Sequence, residues 1–244
     1  MKFGGNKVKI AIIAAMQEEV TPFREFFTQR KQIWQKGKTV IEKLNEDVYL
    51  VESGIGKVNA AASTAWLCEH VAPDLIINTG TTGTFHANAA LGEILLSDRF
   101  VYSDVDATGF DYQYGQVPQM PADYPISHAL LQEVEKLFAV HNITYHLGTI
   151  VTADSFMSDD ATINTIRKNF PDLIGSDMES CAIAQVASFY NIPILNVRAI
   201  SDKVGDKAPQ MFDDSVDNVS VQAFQAVQIL LNSLSKDAVD KKIK

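Results

Sequence analysis

Three carboxylates stand where predicted elements of secondary structure meet, and they are the residues best placed to do chemistry in this sequence. Glu19 follows a buried strand predicted over residues 8–15, and Asp202 follows another predicted over 194–200. Glu179 opens the predicted amphipathic helix that precedes the second of these strands. Because ligands bind beyond the carboxyl ends of strands in open α/β sheets, we expect the three acids to face one pocket.

Three acids without a neighbouring cluster of Arg or Lys suit a reaction that develops positive charge in its transition state. Cleavage of a glycosidic bond through an oxocarbenium-like state is such a reaction. One acid would protonate the leaving group, one would activate water, and the third would hold sugar hydroxyls. Each acid also has a structural interpretation, since acids favour the first turn of a helix and Asp202 could cap a following helix. Residues 204–209 are predicted to be a loop, which argues against that cap.

Small polar residues follow a further buried strand, predicted over residues 74–80. Thr81, Thr82 and Gly83 would let a ligand approach the backbone and would offer it hydroxyl and N–H groups. The glycines at 54 and 56 resemble a phosphate loop only superficially, because the Gly-x-x-x-x-Gly-Lys-Ser/Thr spacing is absent. Close packing of a strand against a helix accounts for these glycines.

Strands and helices alternate along the chain, with a strand-rich insert early on. The strands are predicted at residues 8–15, 32–36, 39–44, 48–51, 74–80, 91–102, 145–153 and 194–200. The helices are predicted from residue 16 onward and at 59–71, 127–140, 160–170, 178–190 and 213–234. This order predicts a single α/β domain over residues 1–244, with a central mixed, largely parallel sheet flanked by helices. Residues 1–7 and 236–244 are expected to fray.

Composition excludes several classes of function. The net charge of −9 and pI of about 5.0 argue against a general nucleic-acid binder. No apolar run approaches the roughly 18–20 residues of a membrane span, and no secretory signal is visible, so we expect a cytoplasmic protein without a membrane partner. Cys68 and Cys181 fall in predicted helices and are interpreted as small core residues. No metal-ligand spacing is present, and neither a metal nor a cofactor is expected.

Two motifs carry a resemblance to a known family. The Asp-Met-Glu motif at 177–179 and the Arg-Ala-Ile-Ser-Asp motif at 198–202 resemble the purine nucleoside phosphorylase and nucleosidase superfamily. The resemblance runs from Ile10 to about Leu234 and is closest to the bacterial methylthioadenosine/S-adenosylhomocysteine nucleosidases. Further matching motifs lie at residues 15–20, 53–58, 77–80 and 114–116.

The resemblance implies a role for each candidate residue. Glu19 would be the base that activates water, and Arg198 would orient it. Asp202, with Ser201 beside it, would protonate or hydrogen-bond adenine N7. The substrate-binding positions are Met178 and Glu179 for ribose, Phe156 and Met157 for adenine, Ile55, Phe110 and Phe212 for the alkylthio group, and Met16, Thr81, Thr82 and Gly83. The partners implied are an adenine nucleoside and a second copy of the chain in a homodimer, with Phe212 reaching across the interface.

One departure from the family pattern concerns pocket size. Thr81-Thr82-Gly83-Thr84 stands where the nucleosidases usually carry a Ser-Ala-Gly-Gly type of loop, so the two threonines could narrow the pocket. Water is favoured over phosphate as the nucleophile, because no arginine clusters with a glycine loop and Glu19 would repel phosphate.

We therefore expect a hydrolase that releases adenine from methylthioadenosine and S-adenosylhomocysteine. The alternatives are a purine nucleoside phosphorylase, a nucleosidase for another adenine nucleoside such as aminodeoxyfutalosine, and a non-catalytic nucleoside-binding or storage relative.

Overall fold

The computed structural model describes residues 8–205 and 207–240. Its strands are β1 Ile10–Ala14, β2 Lys31–Lys36, β3 Thr39–Lys43, β4 Val48–Glu52, β5 Leu75–Thr84, β6 Ile94–Tyr102, β7 Tyr124–Pro125, β8 Tyr145–Thr152, β9 Leu173–Asp177 and β10 Ile194–Lys203. Its helices are α1 Gln17–Phe26, α2 Lys57–Val71, α3 His128–Val140, α4 Asp160–Asn169, α5 Ser180–Phe189 and α6 Ala208–Asp240, with a 3₁₀ turn at Thr108–Phe110. The fraying predicted for residues 1–7 and 236–244 lies outside the described residues, apart from 236–240, whose backbone continues α6.

The strands form one mixed sheet in the order β10-β6-β8-β9-β5-β1-β4-β3-β2, with β7 beside β6. Parallel pairings join β4 to β1, β1 to β5, β5 to β10, β6 to β8 and β8 to β9. The predicted fold class, an α/β domain with a central mixed sheet and flanking helices, is confirmed. Because β5 pairs with both β9 and β10, the strands β5, β10, β6, β8 and β9 close into a ring.

β5 changes its neighbour along one side, and this change opens a gap in the sheet. Residues 75–78 pair with β1 in parallel, whereas Gly83 and Thr84 pair with β9 in antiparallel. The other side of β5 pairs continuously with β10. The carboxyl ends of β1 and β9 therefore face each other across residues 79–82.

The core forms where the apolar runs of the sequence are longest. All five residues of β1 are buried, and β5 and β10 are buried over nearly their whole length, as expected of strands covered on both faces. Cys68 and Cys181 are free, buried thiols on α2 and α5, as predicted. Within the described residues, no helix has both the length and the apolar character needed to cross a membrane.

Two predicted boundaries near the end of β10 are wrong. Asp202 lies inside the strand instead of beyond it, because pairing with β5 resumes at Asp202 and Lys203 after an irregularity at Ser201. The apolar pattern stops at Ile200, so the sequence did not reveal this extension. The helix α6 begins at Ala208, within the stretch predicted as loop.

Phe23 packs α1 against α6, and its burial should contribute strongly to the free energy of unfolding. Its side chain is fully buried, and its ring meets Phe224 edge-on at 4.9 Å. We predict that Phe23→Ala lowers the free energy of unfolding by about 3–5 kcal/mol, measured by urea denaturation. Phe26 lies on the same helix but is 56% exposed, so Phe26→Ala should cost about 1 kcal/mol or less. Equal losses in the two variants would contradict this assignment.

Candidate active site

One pocket occupies the gap between the ends of β1 and β9. It encloses about 690 Å³ of empty space, including open solvent at its mouth. All but one of the predicted site residues line it: Met16, Glu19, Ile55, Thr81, Thr82, Gly83, Phe156, Met157, Met178, Glu179, Arg198, Ser201, Asp202 and Phe212. The three carboxylates are buried, whereas Ile55 and Phe156 are about half exposed, at 50% and 42%. The pocket therefore has an acidic floor and an apolar mouth.

The two aromatic residues predicted to enclose the alkylthio group lie in different surroundings. Phe110 is 82% exposed on the 3₁₀ turn and does not line this pocket. Phe212 does line the pocket, but that of its own chain, with its ring 6.0 Å from that of Phe156 in an edge-on contact. The expectation that Phe212 reaches across a dimer interface stays a prediction. Because α6 begins at Ala208, Phe212 already lies on the helix and is directed by that helix's packing on its own sheet.

Glu19 lies in the first turn of α1, where its carboxylate bridges the ends of β1 and β5. Its Oε2 accepts hydrogen bonds from the backbone N–H groups of Ala15 and Met16, at 2.9 and 3.1 Å. Its Oε1 accepts from the backbone N–H and the hydroxyl of Thr81, at 2.7 and 3.0 Å. Four donors thus hold a buried carboxylate in one orientation.

Arg198 was expected to orient Glu19, and the structure makes this link through Thr81. Its Nη1 donates to the Thr81 carbonyl at 2.7 Å, and Thr81 in turn donates to Glu19. Its Nε lies 3.0 Å from Asp177 Oδ2, and its Nη2 lies 3.4 Å from Glu179 Oε2. Burial lowers the pKa of Arg198, but the charges of Asp177, Glu179 and Glu19 outweigh burial and raise it.

Glu179 immediately precedes α5 and faces Arg198 on one side and a loop on the other. Its Oε1 accepts a hydrogen bond of 2.9 Å from the backbone N–H of Gly56. Burial raises the pKa of Glu179, and the nearby charge of Asp177 raises it further, against the opposing effects of Arg198 and the Gly56 N–H. Met178, on the connection between β9 and α5, also lines the pocket.

Asp202 lies near the end of β10, where it is buried and lines the pocket. Burial raises its pKa to about 6, and the hydrogen bond from Ser201 opposes the shift. The Ser201 hydroxyl donates to Asp202 Oδ1 at 2.7 Å. Gly83 lies opposite, where a Cβ would be 2.9 Å from Asp202 Oδ2. The missing side chain at Gly83 therefore leaves room beside this carboxyl.

Asp177 belongs to the site, although sequence reasoning did not single it out. It lines the pocket and pairs with Arg198, and its Oδ1 accepts from Thr152 Oγ1 at 2.7 Å and from the Ser180 N–H at 3.1 Å. The Ser180 hydroxyl also donates to its Oδ2. Asp177 Oδ1 accepts from two N–H groups at the start of α5, and Asp is a residue type favoured at helix starts, which could have been noticed. The pairing of Asp177 with Arg198 joins distant parts of the chain, so no local sequence pattern indicates it.

Metal binding has no candidate cluster in the described part of the chain. Over residues 8–205 and 207–240, no group of three or more His, Cys, Asp or Glu side chains could hold a metal ion.

Known proteins resemble this chain over nearly its whole length. A family model described as the phosphorylase superfamily matches residues 9–235. The chain is 40% identical over 232 residues to a 5'-methylthioadenosine/S-adenosylhomocysteine nucleosidase of Anoxybacillus flavithermus, covering 94% of this chain and 100% of that protein. It is 40% identical over 228 residues to the protein of the same name from Staphylococcus aureus strain MRSA252, covering 92% and 100%.

Solved structures give the same result. The crystal structure of the nucleosidase of that name from Neisseria meningitidis, in complex with methylthio-immucillin-A, matches with a TM-score of 0.88 and 31% identity, covering 92% of this chain and 99% of that one. The corresponding protein from Colwellia psychrerythraea, in complex with adenine, matches with a TM-score of 0.88 and 34% identity, covering 94% and 96%.

Gly80 makes room for the Glu19 carboxylate, and this requirement can be tested. Its φ is +128°, and a Cβ there would collide with both oxygens of Glu19. We predict that Gly80→Ala lowers the free energy of unfolding by about 3 kcal/mol or more, measured by urea denaturation. Gly37 also has a positive φ, +59°, but has open space around it, so Gly37→Ala should cost only about 1–2 kcal/mol. The assignment fails if the two variants lose the same stability.

Proposed function

Because this chain belongs to the phosphorylase superfamily, we propose that it hydrolyses the N-glycosidic bond of 5'-methylthioadenosine and S-adenosylhomocysteine, releasing adenine and the thioribose product. The observation that carries the proposal is the set of three buried carboxylates on one pocket floor, each held by different partners. Relatives of that name, similar over at least 92% of this chain, support the choice of substrates.

Asp202 is the proposed general acid. Its pKa of about 6, raised by burial, keeps a useful fraction of the carboxyl protonated near neutral pH. Protonation of adenine N7 makes the base a better leaving group, so the glycosidic bond can break with positive charge on the sugar. Phe156 and Met157 line the same pocket and would stack against the base and enclose it.

Glu19 is the proposed base for the attacking water. Its carboxylate is held in the pocket by Thr81 and by the β1–α1 connection. There it can accept a proton from water and balance the charge that develops on the sugar. Glu179 and Met178 would hold the ribose hydroxyls between these two carboxyl groups, and Ile55 and Phe212 would enclose the alkylthio group.

Water is the favoured nucleophile because the pocket has no cation to spare for phosphate. Arg198 is the one Arg or Lys among the described residues that line it, and Asp177, Glu179 and Thr81 already engage its guanidinium. A phosphate ion beside Glu19 would meet a like charge in a partly desolvated site, which is unfavourable by several kcal/mol.

We further propose that the chain forms one domain over residues 1–244 and acts in the cytoplasm as a homodimer. Phe110 and Val58, exposed by 82% and 79%, are apolar surface of the kind that a subunit interface would cover.

The first experiment is release of adenine from methylthioadenosine in phosphate-free buffer. We expect release at the same rate with and without added phosphate, and losses of at least about 100-fold in Glu19→Gln and Asp202→Asn. Glu18→Gln, at the exposed neighbouring position, should retain activity. Release only with phosphate would identify a phosphorylase. Release from other adenine nucleosides but not from methylthioadenosine would mean that the substrate is one of those nucleosides. Binding of adenine without turnover would favour a non-catalytic relative.

The pH dependence of kcat/KM follows from the role of Asp202. The acid must be protonated, so kcat/KM should fall as pH rises through about 6. The hydrogen bond from Ser201 lowers the pKa of Asp202, so Ser201→Ala should move this fall to higher pH. A profile that stays flat between pH 5 and 8, or a shift to lower pH in Ser201→Ala, would exclude Asp202 as the acid.

A further inference from the structure

A single carboxylate outside the pocket, that of Asp154, joins two chain segments that contribute residues to the pocket. Asp154 Oδ1 accepts a hydrogen bond of 2.8 Å from the backbone N–H of Lys57, the first residue of α2. The N-cap of that helix is Gly56, which has no side chain to accept such a bond. Asp154 therefore caps α2 from a distant part of the chain, in the position where a negative charge favours a helix.

Each end of this link carries residues of the pocket. Next to Lys57, the Gly56 N–H donates to Glu179 Oε1 at 2.9 Å, and Ile55 lines the mouth. Next to Asp154, Ser155 and Phe156 also line the pocket. A change in the Asp154–Lys57 contact would thus shift the Gly56 N–H that donates to Glu179. It would also shift Ile55 and Phe156, which line the pocket.

Asp104 stabilises the Asp154–Lys57 contact by accepting hydrogen bonds from both residues. Its Oδ2 accepts from the backbone N–H of Asp154 at 3.0 Å and from Lys57 Nζ at 2.6 Å. Lys57 Nζ also lies 3.9 Å from Asp154 Oδ2. Asp154 and Lys57 are therefore each held at two points. The approach is close, since a Cβ on Gly56 would lie 3.1 Å from Asp154 Oδ1.

We propose that Asp154 is a positioning residue, which fixes the Ile55–Lys57 loop so that the Gly56 N–H holds Glu179 for substrate binding. Its kinetic consequences rest on the proposed nucleosidase function, whereas its effect on the loop does not. Glu179 would contact ribose in the ground state and the transition state alike, so losing its alignment should raise KM more than it lowers kcat.

Three variants test the proposal. Asp154→Ala removes the acceptor and should raise KM for methylthioadenosine about tenfold, with kcat changed by less than about threefold. Asp154→Asn keeps an acceptor oxygen and should restore most of the affinity. Asp159→Ala is the matched control, because Asp159 caps α4 in the same connection through Thr162 N, at 2.8 Å, and does not line the pocket. It should leave KM unchanged.

Amide hydrogen exchange gives a second readout that needs no substrate. Backbone amides at residues 55–58 should exchange about tenfold faster in Asp154→Ala, and near the wild-type rate in Asp154→Asn and Asp159→Ala. The proposal is overturned if Asp154→Ala leaves exchange at these amides unchanged, or if Asp159→Ala raises KM as much. If the wild-type protein releases no adenine, the proposed function fails, and the exchange rates alone decide the role of Asp154.

Discussion

The active-site pocket depends on one buried guanidinium. Removing Arg198 from water is unfavourable unless its charge and its N–H groups are satisfied by the protein. Asp177 and Glu179 supply the charge from one side of the gap, and the Thr81 carbonyl and the Asn78 side chain supply acceptors from β5. This single group therefore holds together the two sides of the pocket. Because its charge is already paired with Asp177 and Glu179, the same pairing argues for water as the nucleophile.

The sheet brings these groups together through a change of partner on β5. β1 and β9 pair with the same side of β5 from opposite ends, and the gap between them holds Glu19 on one side and Asp177 and Glu179 on the other. Glu19 and Asp202 lie near the carboxyl ends of β1 and β10, which both run parallel to β5, as expected. Glu179 arrives instead from β9, which is antiparallel to β5.

Local patterns in the sequence predicted what local forces determine. Buried strands, amphipathic helices and the positions of the three acids followed from apolar periodicity and from where it stops. The pairing of Arg198 with Asp177, and the Gly56 N–H on Glu179, depend on contacts between distant segments and have no periodic signal. The same limit explains the boundary errors, since Asp202 joins its strand through pairing with β5 and not through apolar character.

Three carboxylates of the same chemistry can take different roles only if their surroundings differ. Glu19 accepts four hydrogen bonds, which hold its carboxylate in one orientation. A base that must accept a proton from one bound water needs such a fixed orientation. Asp202 is buried and has one hydroxyl donor, so its pKa is raised and it can retain a proton to give to the leaving base. Glu179 is shared between Arg198 and a backbone N–H, which suits holding hydroxyls more than transferring protons. The number and kind of donors around each carboxyl therefore assign the roles.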